Sequence, residues 1–337
     1  MASGLTLALG AGLVLAVLVP LAAASPSGAW RVPQLVQAHG WAQLQGFAGL
    51  FAAGMGCRLL PRLCGRRPLP AAFLGAVLVL LLGGAALRVV AQAVLVGPAQ
   101  LAGETIAGAL GGAGMVLVAA AFAATLARSR RPRQGWWVAA WAAAAWWCAW
   151  AGLTVIAGVA GAEHGGLVPA QLDAPAAWVA LLGAIGSLVW AIQARSVPVF
   201  YGRQVPAVRD VAAPLAVFDL GLLVVLASAV AGGDLTRQAG LALAGAAMVA
   251  LAPLCGSVGG AAHRLHPGSR GASVFVVTAN RWAVLAGGLL VLAPALALGG
   301  HTSSAAGLED AALHAVGLGL VTTLIPGVSR LLAPVFA

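Results

Sequence analysis

Apolar residues fill this chain in long blocks, separated by short stretches rich in arginine, proline and glycine. The blocks are apolar on every face. They show neither the alternation of a half-buried strand nor the stripe of a soluble amphipathic helix, and many reach the ~20 residues that cross a bilayer core. The pattern predicts ten helices, at 4–24, 36–57, 71–93, 104–127, 136–160, 176–194, 211–232, 238–259, 278–299 and 311–332. Lipid offers backbone groups no partner, so blocks this long and uniform call for helices and not barrel strands. The expected class is all-α, a polytopic membrane helix bundle forming a single transmembrane domain over 1–337. Segment 4–24 ends in small residues as a cleaved leader does. It lacks a positive n-region, however, and is read as a retained first helix.

Composition strengthens this reading. With 61% hydrophobic residues, 8% charged and a mean hydropathy of +0.99, a chain of 337 residues could not cover a soluble core with polar surface. The net charge of +10 is no sign of a nucleic-acid partner, because all 18 basic residues are arginines clustered between apolar blocks. Fifteen fall after predicted helices 2, 4 and 6, around the start of helix 9 and at the end of helix 10; Arg31, Arg88 and Arg237 lie elsewhere. The positive-inside rule makes the fifteen-arginine side cytoplasmic, and the N-terminus with it. Cys57, Cys64, Cys148 and Cys255 show no metal or redox spacing and read as buried thiols. Six tryptophans crowd helix 5 between Trp136 and Trp150, as interfacial belt residues or as packing against neighbours or a flat ligand.

One phrase recurs. RLLPRLCGR (58–66) returns as RSVPVFYGR (195–203), and a third copy, RLLAPVF (330–336), carries one inserted residue. The leading arginines, Arg58, Arg195 and Arg330, are almost evenly spaced, so the chain repeats every four helices. Locally the phrase has a structural reading: proline ends the helix, and arginine complements its C-terminal dipole. The period implies pseudo-threefold order, with repeat units 1–70 (partial), 71–210 and 211–337. Helices 11 and 12, absent here, would complete the third unit, and the expectation is of a fragment or a shortened twelve-helix protein.

The topology then sorts the histidines. His263 and His266 lie in a basic loop, and His164 and His301 on loops of the opposite side. His39 and His314 instead sit at the arginine-poor ends of two spans. They lie 19 residues before Arg58 and 16 before Arg330, roughly 28 and 24 Å at the helical rise. Matched depth on corresponding helices points to a shared ligand. His39, Gln43, Gly46 and Phe47 share one face, as do His314, Gly317 and Val321. Two neutral imidazoles with glycines that admit a flat macrocycle suit haem iron; zinc would want more ligands than are near. Arg88, near the arginine-poor end of helix 3, either meets a haem propionate or snorkels to headgroups. Asp219 in helix 7 pairs with an arginine, lines a proton path or sits in a polar helix contact.

The run HGWAQLQGFAGLFAAGMGCRLLPRL from His39, with SVPVFYGR and HAVGLGLVTTLIPGVSRLLAPVF, resembles the NnrS family of bacterial membrane proteins. The resemblance implies haem, copper and a role in the response to nitric oxide and nitrosative stress, in the inner membrane. No copper site can be assigned. The wider likeness is to the catalytic subunit of haem-copper oxidases and nitric oxide reductases, where histidines of helices 2 and 10 hold a low-spin haem. His39 and His314 match those positions. Helix 10 has one histidine and not a spaced pair, helices 6 and 7 have none, and Tyr201 lies at the far end of helix 6. Oxidase or reductase chemistry is therefore disfavoured. The expected function is a haem b protein, with His39 and His314 as iron ligands and Arg88, Gln43, Gly46 and Gly317 around the cofactor. It would transfer electrons to a redox partner or sense nitric oxide. The alternative is a haem-free secondary transporter using Asp219, although copies of one motif on a single side argue against inverted repeats.

Overall fold

The computed structural model describes residues 10, 12–25, 31–130, 133–259 and 270–328. The third copy of the arginine phrase, His263, His266 and the start of the first predicted helix lie outside the described residues.

Ten helices account for the described residues, with no strand among them: α1 (Leu13–Ala24), α2 (32–63), α3 (Ala71–Ala93), α4 (Gly97–Ala127), α5 (Gly135–Glu163), α6 (Ala170–Phe200), α7 (Val208–Ala231), α8 (Asp234–Cys255), α9 (Ala272–Leu298) and α10 (Thr302–Val328). Eight of them, α3 to α10, are long and apolar enough to cross a bilayer. This is a multi-pass all-α membrane protein. Several helices outrun the apolar blocks that announce them. α4 starts at Gly97, because Val96 is extended and Pro98 occupies the first turn, where a missing N–H costs nothing. α7 and α8 are joined by Gly232 and Gly233 at φ 73° and 102°, a reversal that L side chains resist.

The arginine phrase does not end its helices as expected. Pro61 and Pro198 lie inside α2 and α6, and the stop falls on Gly65 and Gly202, at φ 66° and 69°. Arg66 N–H donates to Pro61 O at 2.7 Å and Gly65 N–H to Arg62 O at 3.1 Å. In the second copy Arg203 N–H donates to Pro198 O at 2.7 Å and Gly202 N–H to Val199 O at 3.3 Å. Both ends are Schellman caps, in which a left-handed glycine lets two N–H groups turn back onto orphan carbonyls. Proline serves as an acceptor here, at a position where its carbonyl is needed.

A second periodic feature has no counterpart in the sequence reading. α2, α6 and α10 each contain a π-helical stretch, Ala42–Gly49, Val179–Gly186 and Ala315–Thr322. The step from Ala42 to Val179 equals that from Arg58 to Arg195, and Ala315 follows at almost the same interval. The backbone stays right-handed helical through each described junction.

The chain divides into two compact units, one from Met1–Arg131 with Ala144–Ala180, the other from Pro132–Ala143 with Leu181–Ala337. In the first, α3 and α4 meet glycine to glycine: a Cβ on Gly84 would lie 2.6 Å from Gly111 N and 3.0 Å from Ala107 O. In the second, a Cβ on Gly221 would lie 2.5 Å from Gly240 O and 2.6 Å from Ala244 N. The same contact thus occurs in each unit, with Gly221 in the place of Gly84, Gly240 in that of Ala107 and Ala244 in that of Gly111. Only glycine lets helix backbones approach this closely.

Candidate functional site

In the first unit, polar side chains gather where the arginine-poor ends of α2, α3, α4 and α6 meet. Arg88, on the last turns of α3, is 1% exposed and Glu104, on α4, 0%. Arg88 Nε lies 2.9 Å from Glu104 Oε2. Antiparallel helices joined by residues 94–96 place the two at one depth, Arg88 shortly before the end of α3 at Ala93 and Glu104 two turns after the start of α4 at Gly97. The guanidinium stacks on Trp41, 4.6 Å from the ring centroid, and faces Asp173 as a second counter-ion. Trp41 and Gln37 hydrogen-bond the Asp173 carboxylate. Among the described residues, Arg88 Nη1 and Nη2 and both Glu104 oxygens have no hydrogen-bond partner. Arg88 is thus buried and not snorkelling, and an acid of the chain itself neutralises it.

The loop above this pair is clamped. Gln37 Nε2 donates to Val168 O at 2.7 Å, and Val168 N–H returns a bond to Gln37 Oε1 at 2.9 Å. Gln92 Nε2 reaches Gly166 O at 3.1 Å and Gln37 Oε1 at 3.3 Å.

His39 stands on α2 beside this network, half-buried. Its Nδ1 lies 2.8 Å from Gly12 O, a main-chain acceptor beside α1. A carbonyl can only accept, so Nδ1 carries a proton, and in the neutral tautomer this contact selects, Nε2 has the lone pair. Three residues on, the π-helical stretch begins. Gln43 is half-buried within it, whereas Gly46 is buried. A Cβ on Gly40, the next residue, would meet nothing within 4 Å. At Gly49, in contrast, a Cβ would come 2.8 Å from Trp150, one of the fully buried tryptophans of α5.

In the second unit His314 is the last residue before the π-helical stretch of α10. It is 56% exposed, with Nδ1 2.8 Å from Asp310 O and 3.6 Å from Asp310 Oδ1. Again Nε2 is left as the acceptor. A Cβ on Gly317 would meet nothing within 4 Å, while one on Gly319 would run into Trp282. His164 makes the same contact to Ala160 O, but from an exposed position at the end of α5, away from any π-helical stretch.

Glu309, 6% exposed on α10, is ion-paired with Arg237 of α8, which also binds Asp234 at 2.9 Å. The repeat relates the two buried pairs. Arg237 takes the place of Glu104 under the same shift that carries Ala107 to Gly240 and Gly111 to Ala244. Glu309 takes the place of Asp173 under the shift that carries the π-helical stretch at Val179 to the one at Ala315. At the α4 position the second unit carries a guanidinium where the first carries a carboxylate, and under the shift from Gly84 to Gly221 the place of Arg88 falls to Val225.

Two other sequence candidates are located by the structure. Tyr201 caps α6, and burial pushes its hydroxyl pKa above the usual value. Asp219 is half-buried on α7. Among the described residues no three of histidine, cysteine, aspartate and glutamate form a metal-holding group. No family model, curated protein or solved structure matches the chain.

Proposed function

We propose that this membrane protein binds haem b through His39 and His314. Its function would be of NnrS type, in the response to nitric oxide and nitrosative stress, with its arginine-rich side cytoplasmic in a bacterial inner membrane. One observation carries the reading. Each imidazole is fixed through Nδ1 by a main-chain carbonyl, 2.8 Å away, at the threshold of a π-helical stretch. Metal-binding histidines are held in this way, with the second nitrogen's hydrogen bond setting tautomer and ring angle. The open space beside Gly40 and Gly317 leaves room on the same two helices. π-Helical turns occur often at functional sites, because the extra residue widens the helix and re-aims its side chains.

A bound haem iron would supply one-electron chemistry, and a gas site if one imidazole were released. The chain's own contribution is positional. Gly12 O and Asp310 hold the two rings, and at His314 the Asp310 carboxylate lies 3.6 Å from the same ring nitrogen. Arg88 enters as support for the α2–α3–α4 end, since Glu104 already pairs with it. The competing reading, a haem-free transporter, is favoured by this buried ion pair inside a membrane span.

The test is an optical spectrum of the detergent-solubilised protein, oxidised and dithionite-reduced, beside His39→Ala and His314→Ala. A sharp Soret band with resolved low-spin α and β bands, lost in both variants, is expected. A colourless protein from cells supplied with haem would overturn the proposal and move attention to transport through the Arg88–Glu104 region.

A further inference from the structure

Among the described residues, six arginines of the first unit lie at its arginine-rich end: Arg58, Arg62, Arg66 and Arg67 at the end of α2, Arg128 and Arg130 at the end of α4. The two helix ends are joined, because Arg130 N–H donates to Cys64 O at 2.9 Å. The Cys64 side chain also bonds Ser129. The Schellman turn at Gly65 ends α2 immediately before Arg66 and Arg67, with Arg66 N–H turned back onto Pro61 O. All three carboxylates of the unit, Glu104, Glu163 and Asp173, belong to its opposite end. The arginine-rich end of this unit therefore carries no acid of its own.

The second unit treats its arginines on this side differently. Arg203 donates to Pro253 O at 3.2 Å and to Gly256 O, and Arg281 to Val258 O at 3.0 Å. Arg209 lies 3.6 Å from Asp210, and Arg133 stacks on Trp137 at 4.9 Å. There Arg203 and Arg281 bind main-chain carbonyls at and just beyond the end of α8, while Arg195 and Arg270 make no side-chain hydrogen bond or ion pair among the described residues. In the first unit Arg67, Arg128 and Arg130 are exposed and make no side-chain hydrogen bond or ion pair among the described residues. A group of like charges held side by side by hydrogen-bonded helix ends repels itself, and counter-ions relieve that repulsion. Arginine, used here to the exclusion of lysine, presents a planar fork that matches phosphate oxygens two at a time.

We propose that the α2–α4 end of the first unit is a binding site for the phosphate headgroup of an anionic phospholipid. The acyl chains of such a lipid would lie along apolar, lipid-facing helix surface, where Val116 and Leu74 are among the exposed side chains. This inference does not depend on haem. Each juxtamembrane arginine contributes about fivefold in affinity for anionic lipid, so removing three should weaken retention on the order of 100-fold.

The experiment is native mass spectrometry of the whole protein released from nanodiscs of mixed phosphatidylglycerol and phosphatidylethanolamine. Wild type should retain phosphatidylglycerol selectively. Arg67→Gln/Arg128→Gln/Arg130→Gln should lose it, and the matching triple lysine variant should recover part of it. Arg209→Gln, which removes an arginine of the second unit, should leave retention unchanged. Circular dichroism of each variant verifies that its helices are intact. Equal retention of both lipids by wild type, or undiminished selectivity in the glutamine triple, would overturn the proposal. So would stripping of the lipid by millimolar inorganic phosphate, which would mark a site for free anions.

Discussion

Replacing Glu104 by glutamine removes the charge that neutralises Arg88 while keeping nearly the same shape. Both side chains are closed off from the surroundings, at 0% and 1% exposure, and breaking one partner of such a pair costs about 3–5 kcal/mol. Asp173 remains in Coulombic reach of the guanidinium, so Glu104→Gln belongs at the lower end, about 3 kcal/mol. Arg88→Met removes the cation that two carboxylates share and the stacking on Trp41; it belongs at the upper end, about 5 kcal/mol. Arg88→Met/Glu104→Leu deletes both charges and should recover most of the loss, to within about 1 kcal/mol of the parent. Steric-trap unfolding in detergent measures these free energies. The order expected is parent and double variant together, then Glu104→Gln, then Arg88→Met. A double variant as unstable as the two single losses added would refute the reasoning, showing that the residues contribute independently.

Gly84→Ala and Gly221→Ala should each cost about 1–3 kcal/mol through backbone overpacking, whereas Ala at Gly83, where a Cβ meets nothing, should be neutral; thermal melts compare them. Gly65→Ala and Gly202→Ala should each lose about 1–2 kcal/mol from left-handed strain, and Pro61→Ala much less, by the same assay. Burial raises the Cys64 thiol pKa, so its contribution to stability is full below the unfolded thiol's ordinary value and is lost as pH rises above it. Alkylation of Cys64 in the folded protein should accordingly lag a free thiol between pH 8 and 10, and equal rates would contradict its burial. If haem is bound, Asp310→Asn should raise its midpoint potential by removing negative charge beside His314, read by spectroelectrochemical titration.

How far the sequence could be read depended on range. The apolar blocks located every helix: the block at 71–93 is α3 without change, and others extend outward through polar turns such as the one holding Gln100. Hydropathy ends where polar residues start, but a helix ends where its backbone finds a cap. That is why the proline of the repeated phrase reads as the stop that Gly65 and Gly202 in fact provide. Glu104, the partner of Arg88, was also within reach, because two charges at similar distances from one short antiparallel turn must share a depth. The carbonyl partners of His39 and His314 were not. Gly12 O comes from a different helix, and main-chain acceptors leave no mark in residue identity. The π-helical stretches were equally silent, since their residues read as ordinary apolar span.

Those stretches make α2, α6 and α10 unusual in how they would respond to changes of chain length. A residue removed from an α-helix rotates everything beyond it by about 100°, carrying lipid-facing side chains into the interior. A π-helical turn holds one residue more than the α-helix needs. Deleting a residue from Ala42–Gly49 should therefore be absorbed as a return to α geometry. The same deletion in α3 would put every later residue of that helix out of phase. Three helices of this protein thus carry a reserve of slack, at the same place in each repeat.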